Sequence, residues 1–102
     1  MLELRPICEH CARSLPPASL EARICSYECT FCADCVEHVL DNVCPNCGGG
    51  FTQRPIRPAL NWKDDSYLGT DPASTQKKYQ PVDRDIHLRF AHKLRTIPPH
   101  RR

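Results

Sequence analysis

The side chains that could carry chemistry in this sequence are mainly cysteines, whose thiolates can bind a soft metal ion, pair as disulfides or act as nucleophiles. The chain has eight cysteines, and all of them lie in its first half. The pairs at positions 8/11, 32/35 and 44/47 have the Cys-x-x-Cys spacing. Such a pair on a tight turn presents two sulfurs to one tetrahedral ion. The spacing therefore predicts two zinc sites with four thiolates each, and two Zn²⁺ ions are the expected cofactors.

Two partitions of the eight ligands are open. The interleaved partition joins two Cys-x-x-Cys pairs across residues 12–31, a usual spacing for a site built from two such pairs. The sequential partition gives the first four cysteines to one ion and the last four to the other. We favour the interleaved one, although spacing alone does not decide. Its ligand sets are Cys8, Cys11, Cys32 and Cys35 for zinc 1, and Cys25, Cys29, Cys44 and Cys47 for zinc 2.

Disulfides and an iron–sulfur cluster are the other uses of such a cysteine set. The N-terminal MLELRPICEH has no apolar run typical of a signal peptide, and no stretch has the roughly 18 apolar residues of a membrane span. We therefore expect a cytoplasmic protein in a reducing compartment, where clustered cysteines bind metal more often than they pair. The cysteine spacing over 25–35 reverses the order of the bacterial ferredoxin motif, which disfavours a cluster.

Length and charge agree with a metal-dependent fold. A chain of 102 residues offers one small domain, which rarely buries enough apolar surface to be stable without a disulfide, a metal or a partner. The first 60 residues carry five Lys/Arg against seven Asp/Glu, and the remaining residues carry nine against five. The cysteine region is thus acidic and the rest basic, so the two parts attract each other.

Two elements are predicted to position the ligands. Residues 21–31 are rich in strand-forming side chains and suit a hairpin that turns between Cys25 and Cys29. Over 33–42, Val36, Val39 and Leu40 recur at helical spacing, which predicts a short helix packed on the metal core. Residues 1–54 are therefore expected to form a small metal-stabilised α+β module with a short β-hairpin, one short helix and two zinc sites.

Residues 55–82 contain four of the ten prolines and are predicted to be an irregular linker, or a wrap laid over the module. The apolar side chains that would attach such a wrap are Ile56, Leu60, Trp62 and Leu68.

Residues 83–102 form a basic tail. Residues 83–96 are predicted to be a helix, with Asp83 or Asp85 capping its start and Pro98 ending it. A narrow apolar stripe is expected to pack on the module or on another subunit, while the basic face meets solvent. The stripe consists of Ile86, Phe90, Leu94 and Ile97.

The string Phe31-Cys32-Ala33-Asp34-Cys35-Val36, followed by Cys44-Pro45-Asn46-Cys47, resembles the second half of a RING finger. Cys29 stands where the fourth RING ligand is commonly His. The resemblance implies a cross-brace, in which two interleaved structural zinc sites hold one module. The block from Arg5 to Pro58 is also similar to a family of short bacterial eight-cysteine proteins with no assigned function, which implies a bacterial source.

RING ubiquitin ligases contain no catalytic group and hold a conjugating enzyme in a shallow groove. The usual groove proline is present as Pro45. His10 and Val39, however, stand where an apolar and a bulky apolar residue are usual, and Gly48 replaces the usual basic residue. A RING-type ligase adaptor is therefore a disfavoured alternative, because fold alone does not carry function.

The remaining expectations concern function. Eight thiolates fill two closed sites and leave no open position for water, so we expect no catalytic site and no enzyme. His10 and His38 are expected at the surface or beside the metal sites. A protein-interaction module that uses the surface between the two zinc loops is the favoured hypothesis. The alternative is nucleic-acid binding through the basic tail, together with Arg54 and Arg57.

Overall fold

A computed structural model describes residues 1–102. It confirms a small α+β fold with a three-stranded antiparallel sheet in the order β2-β1-β3. In chain order the elements are β1 (Ala22–Ile24), β2 (Thr30–Cys32), α1 (Ala33–His38), β3 (Thr52–Gln53), α2 (Arg84–Leu94) and a single 3₁₀ turn (Pro99–Arg101). Neither α1 nor α2 has the length and apolar character that a membrane-spanning helix requires.

The predicted hairpin is confirmed as β1 and β2. Ala22 pairs with Cys32 and Ile24 with Thr30, so the connecting turn begins at Cys25 and ends at Cys29. Glu28 adopts a left-handed conformation in this turn, with a φ of 66°. The hairpin therefore holds two cysteines at its tip and a third at the end of β2.

The strand β3 was not predicted. It pairs with the other edge of β1, with Arg23 opposite Gln53 and Ile24 opposite Thr52. Because it has only two residues and both side chains are exposed, it has no apolar alternation by which a strand is recognised in a sequence.

The helix α1 is shorter than the predicted 33–42. It ends at His38, and the amides of Val39 and Leu40 both donate to the carbonyl of Cys35. Asp41 and Asn42 then adopt left-handed conformations, with φ of 52° and 55°. This local turn buries Leu40 completely.

Cysteine side chains make up most of the small core. The central cluster has ten buried residues, six of them cysteines. The largest apolar member is Phe31, which makes an edge-to-face contact with Phe51 at a centroid distance of 5.5 Å. With so little aliphatic surface buried, the module has little hydrophobic stabilisation of its own.

Residues 55–82 contain no helix or strand. Polar contacts attach them along most of their length, and Val82 packs against the core. Arg57 donates from Nη1 to the carbonyl of Asp71 and from Nη2 to that of Leu2, both at 2.8 Å. The predicted apolar wrap was wrong for three of its four side chains. Only Leu68 is half-buried, whereas the exposed ones are Ile56, Leu60 and Trp62.

The tail helix is present as α2, and Asp83 is its cap: its Oδ1 accepts from the amides of residues 85 and 86. The buried face, however, is formed by His87 and Ala91. The predicted stripe is wrong for Ile86 and Phe90, which are 58% and 47% exposed and lie about 100° of helix rotation from the buried pair. The other two members of the stripe, Leu94 and Ile97, are half-buried. The small side chain of Ala91 allows α2 to approach the module closely, and His87 hydrogen-bonds to a backbone carbonyl of the module. A search for apolar periodicity reveals neither contact.

Candidate metal centre

The first cysteine group consists of four side chains whose sulfurs all lie within 4.8 Å of one another: Cys8, Cys11, Cys32 and Cys35. The sulfurs of Cys11 and Cys32 are 3.7 Å apart. Tetrahedral geometry with Zn–S bonds of about 2.3 Å requires sulfurs separated by about 3.8 Å. The group therefore matches the size of a four-thiolate metal site.

Three local structures bring these four sulfurs together. Cys8 and Cys11 lie on a tight turn in which the amide of Ala12 donates to the carbonyl of Cys8, and Ala12 has a φ of 63°. Cys32 ends β2, and Cys35 lies in the first turn of α1. Because the strand runs directly into the helix, the second pair is presented on one continuous segment.

The second group has a looser arrangement. The sulfurs of Cys25, Cys44 and Cys47 lie within 4.8 Å of one another. Cys29, the fourth predicted ligand, is not within that limit of all three, but it sits at the other end of the hairpin turn from Cys25. Its sulfur accepts a hydrogen bond from the side-chain amide of Asn46 at 3.4 Å. The structure thus brings three predicted ligands together and keeps the fourth beside them.

The turn from Cys44 to Gly49, which we call the second knuckle, is organised by backbone hydrogen bonds. The amide of Gly48 donates to the carbonyl of Cys44, and the amide of Gly49 donates to the Cys47 sulfur at 3.4 Å. Gly48 has a φ of +79°, and a Cβ there would lie 3.3 Å from Leu94 and 3.5 Å from Phe90. Glycine is therefore required both by the backbone and by the approach of α2.

The grouping of the sulfurs follows the interleaved order. The pair at 8/11 lies with 32/35, and Cys25 lies with the pair at 44/47. The sequential partition would need Cys8 and Cys11 beside Cys25 and Cys29, an arrangement that is absent from the two groups. The two cysteine groups could therefore hold two metal ions in one small module.

Burial changes the acidity of the thiols. It raises the pKa of Cys8, Cys29, Cys35 and Cys44 above the usual range, with neighbouring cysteines adding to the effect. For the exposed Cys11, burial acts in the same direction, but hydrogen bonds from the Arg13 backbone and nearby thiols lower its pKa. Without a cation these four thiols with a raised pKa are therefore protonated at neutral pH, and a bound metal must displace their protons.

A buried glutamate that sequence reasoning missed supports the first group. Glu9 is 1% exposed; it accepts from the amide of Thr30 at 2.6 Å and from Arg5 at 2.9 Å. Lys78 approaches its other oxygen at 3.7 Å. Glu9 thus ties the first turn to β2 and to the later chain. Nothing in its sequence context distinguishes it from a surface glutamate.

Arg54 and Arg57, expected as nucleic-acid contacts, are used inside the protein. Arg54 is 1% exposed and donates to the carbonyls of residues 5, 15 and 16. Burial lowers its pKa. Arg57 is half-buried and donates to two further carbonyls. The expectation that these two arginines face a nucleic acid was therefore wrong.

The surface between the two cysteine loops, predicted to be the interaction surface, is partly covered by the chain itself. The amide of Gln80 donates to the carbonyl of Glu9, and the amide of Val82 donates to Nδ1 of His10 at 2.9 Å. Farther along, His87 Nε2 lies 3.0 Å from the carbonyl of Leu40. His38 is exposed, as expected. Residues 80–94 therefore run from the first cysteine turn to the second knuckle.

Comparison with known proteins gives a family but no function. A family model described as "Protein of unknown function (DUF1272)" matches residues 1–57. The "Uncharacterized protein R02474" of Rhizobium meliloti (strain 1021) is 53% identical over 81 residues, which cover 79% of this chain and 89% of that protein. No solved structure matches the chain. The match to R. meliloti extends beyond the cysteine region and includes part of the later chain.

Proposed function

The chain belongs to the DUF1272 family, and we propose that it is a structural zinc protein that uses a RING-like cross-brace to present a surface to another protein. Zinc 1 is held by the four sulfurs of the first group, and zinc 2 by the second group with Cys29 completing it. The observation that carries this proposal is the first group: four sulfurs within 4.8 Å, at the spacing of a tetrahedral thiolate site.

Zinc is favoured over other metals by the donor set. Four soft thiolates in a tetrahedral arrangement suit zinc or an iron–sulfur cluster, whereas hard cations prefer oxygen ligands. The four sulfurs of the first group lie within 4.8 Å of one another, which is the size of a single-ion site. Zinc also explains how a module with a cysteine-rich core is stable in a short chain.

A binding role is favoured over catalysis. Four thiolates saturate a tetrahedral zinc, so neither ion offers a position for a reacting water. By contrast, α2 exposes two apolar side chains on one face: Ile86 and Phe90 are 58% and 47% exposed. An apolar helix face beside a rigid metal module is suited to docking another protein.

Cobalt substitution tests the metal part of this proposal. Co²⁺ replaces Zn²⁺ in thiolate sites, and its visible spectrum reports tetrahedral coordination and sulfur ligands. We expect two equivalents of Co²⁺ to bind with tetrahedral, thiolate-rich spectra, and zinc to displace both. An octahedral spectrum, or saturation at one equivalent, would contradict the two-site proposal.

The proposed binding of another protein is tested by comparing the protein with and without its metal. Zinc-loaded and chelator-treated protein, each immobilised through the same terminus, are exposed to extract from the native host. We expect a defined protein to be retained only on the zinc-loaded form and then to bind it as a purified pair. If nothing is retained, or the same proteins are retained on both, the interaction role fails.

Nucleic-acid binding is a second candidate, supported by the exposed basic side chains of the tail. Arg84, Arg89 and Lys93 on α2 are exposed and make no ion pair, whereas Arg95 pairs with Asp41 at 3.7 Å. Several phosphate contacts would make affinity fall steeply with salt concentration. Absence of retention on DNA and RNA at low salt would remove this candidate.

The ubiquitin-ligase alternative is weakened by the path of the chain. Residues 80–94 cross the region between the first cysteine turn and the second knuckle, where a conjugating enzyme would have to bind. We expect no stimulation of ubiquitin discharge from a conjugating enzyme.

A further inference from the structure

A cleft lies between the second knuckle and the N-terminal half of α2. Its volume is about 360 Å³, within the range of small ligand sites. Pro45 and Asn46 form the knuckle side, and Ile86, His87 and Phe90 form the helix side. Ile86 and Phe90 are the exposed members of the predicted apolar stripe. The cleft thus offers apolar surface that the chain itself leaves uncovered.

A buried histidine in the wall of this cleft has one nitrogen without a partner. His87 is 3% exposed, and its Nε2 lies 3.0 Å from the carbonyl of Leu40. A carbonyl only accepts, so Nε2 carries the proton and donates. Nδ1 is then an acceptor, and it is the one buried side-chain nitrogen or oxygen with no hydrogen-bond partner. Leaving a buried polar atom unpaired is costly, so a ligand that supplies an N–H gains affinity once a local shift of the cleft wall opens Nδ1, which is closed to solvent here.

The other polar groups of the cleft also favour a hydrogen-bond donor. Asp83 lines it, and no lysine or arginine does. The charge of Glu9 is balanced by Arg5 and Lys78, but Asp83 has only two backbone amides as partners. The adjacent second knuckle belongs to a site whose four thiolates outweigh the charge of one zinc. Asp83 is therefore the one charged group of the cleft without a charged partner, and it favours a cationic ligand group.

From these observations we propose that the cleft binds a short segment of a partner protein in which an aliphatic side chain stands next to a lysine or arginine. The aliphatic side chain packs between Ile86, Phe90 and Pro45. The cationic side chain lies against Asp83, and an N–H of the segment donates to His87 Nδ1. The assignment rests on the proposed protein-binding function and gives it a location and a partner chemistry.

Two matched peptides test the assignment on the full-length zinc-loaded protein. One is acetyl-Gly-Leu-Lys-Leu-Gly-amide, and the other carries Glu in place of Lys. NMR spectra of ¹⁵N-labelled protein report the amides of Asn46 and Phe90 and the Nδ1 resonance of His87. We expect the lysine peptide to shift all three and to bind at least about tenfold more tightly than the glutamate peptide, because a charge-assisted contact replaces a repulsive one.

A pair of variants on the same helix identifies the binding surface. Ile86→Ala removes an aliphatic wall of the cleft, whereas Leu88→Ala removes a side chain of similar exposure, 53% against 58%, that does not line it. We expect affinity for the lysine peptide to fall about tenfold in the first and to be unchanged in the second. Both side chains are exposed, so both variants should fold.

Three results would overturn the assignment. They are equal binding of the two peptides, shifts confined to residues outside the cleft, and shifts of the cleft that follow protein concentration without peptide, which would assign it to a second copy. Failure of the wider function has a different signature. If a purified partner binds the zinc-loaded protein and Ile86→Ala does not weaken that binding, the cleft is not the binding site, while the interaction role stands.

Discussion

The cysteine region and the C-terminal region of this protein are held by different interactions. Residues 1–54 surround a core in which cysteines outnumber all other buried side chains of the central cluster. Residues 55–102 attach to that core through separate contacts: hydrogen bonds such as those from Val82 to His10 and from His87 to Leu40, and the packing of a few side chains such as Val82. The first region shares one stabilising centre, whereas the second is attached at separate points.

This difference predicts different responses to perturbation. A metal centre that replaces a hydrophobic core stabilises all of its ligands together, so its loss should unfold the module cooperatively. Separate hydrogen bonds contribute about 1 kcal/mol each, so loss of one should release part of the tail and leave the module folded. Perturbing each region separately tests that contrast.

The largest effect is expected from Cys32→Ser. Cys32 is 1% exposed at the end of β2, and its sulfur lies 3.7 Å from that of Cys11. Structural zinc contributes on the order of 10 kcal/mol to folding, so losing one ligand should release zinc 1 and unfold residues 1–54. Metal analysis and the dispersion of amide NMR signals measure this. Ser26→Ala, at an exposed position in the same hairpin, is the control and should retain both ions.

Acid should release metal from both sites. Burial raises the pKa of Cys8, Cys35 and Cys44, so these thiols bind a proton at neutral pH whenever no metal is bound. Two ligands of each site have a raised pKa, so each zinc displaces at least two protons, and affinity falls by at least about 100-fold for each unit that the pH falls. Competition with a chromogenic chelator between pH 8 and pH 6 measures the slope. An affinity independent of pH would mean that the ligands are not thiols.

Arg54→Ala is expected to destabilise the module without removing metal. The guanidinium donates to three backbone carbonyls, and its loss leaves these buried acceptors unpaired at a total cost of about 3 kcal/mol. Denaturant unfolding of the zinc-loaded protein measures the change. Arg13→Ala is the matched control, because its ion pair with Asp34 is exposed and should contribute less than about 1 kcal/mol. Equal effects in the two variants would contradict the structural role of Arg54.

His10→Ala should loosen the tail alone. It removes the acceptor of the Val82 amide, a loss of about 1 kcal/mol that falls on the attachment of residues 80–94. Hydrogen exchange should speed up at Val82 and in α2 while amides of β1 and β2 keep their protection. His38→Ala removes an exposed histidine on α1 and should change neither region. Uniform acceleration across the chain would show that the tail and the module unfold as one unit.

The module was largely predictable because cysteine spacing is a direct geometric constraint. Where two residues separate a pair of cysteines that bind the same ion, the chain between them must turn. Residues between 25 and 29 must likewise form the tip of the hairpin. The short helix after Cys32 could also be predicted from the sequence, although its end at His38 depended on the left-handed residues Asp41 and Asn42. The two-residue β3 could not be predicted, because only its pairing with β1 defines it.

The attachment of the tail could not be predicted, because its contacts are specific rather than periodic. The apolar stripe indicated Ile86 and Phe90 as the packing face, yet the helix buries His87 and Ala91. A buried histidine is stabilised by one carbonyl, that of Leu40, which lies 47 residues earlier. Likewise, Arg54 and Arg57 looked like surface charges until their carbonyl partners were known. Such single long-range hydrogen bonds have no signature in local sequence.

The most direct test of the account is the mass of the purified protein under native conditions. If metal holds the core together, each chain binds two zinc ions and its eight cysteines are reduced. The native mass should then exceed the denatured mass by the mass of two zinc ions, minus the mass of the protons that they displace. Denaturation should release both ions and leave eight thiols that react with an alkylating reagent. A compact protein whose mass shows no bound metal, with its cysteines oxidised in pairs, would contradict the account.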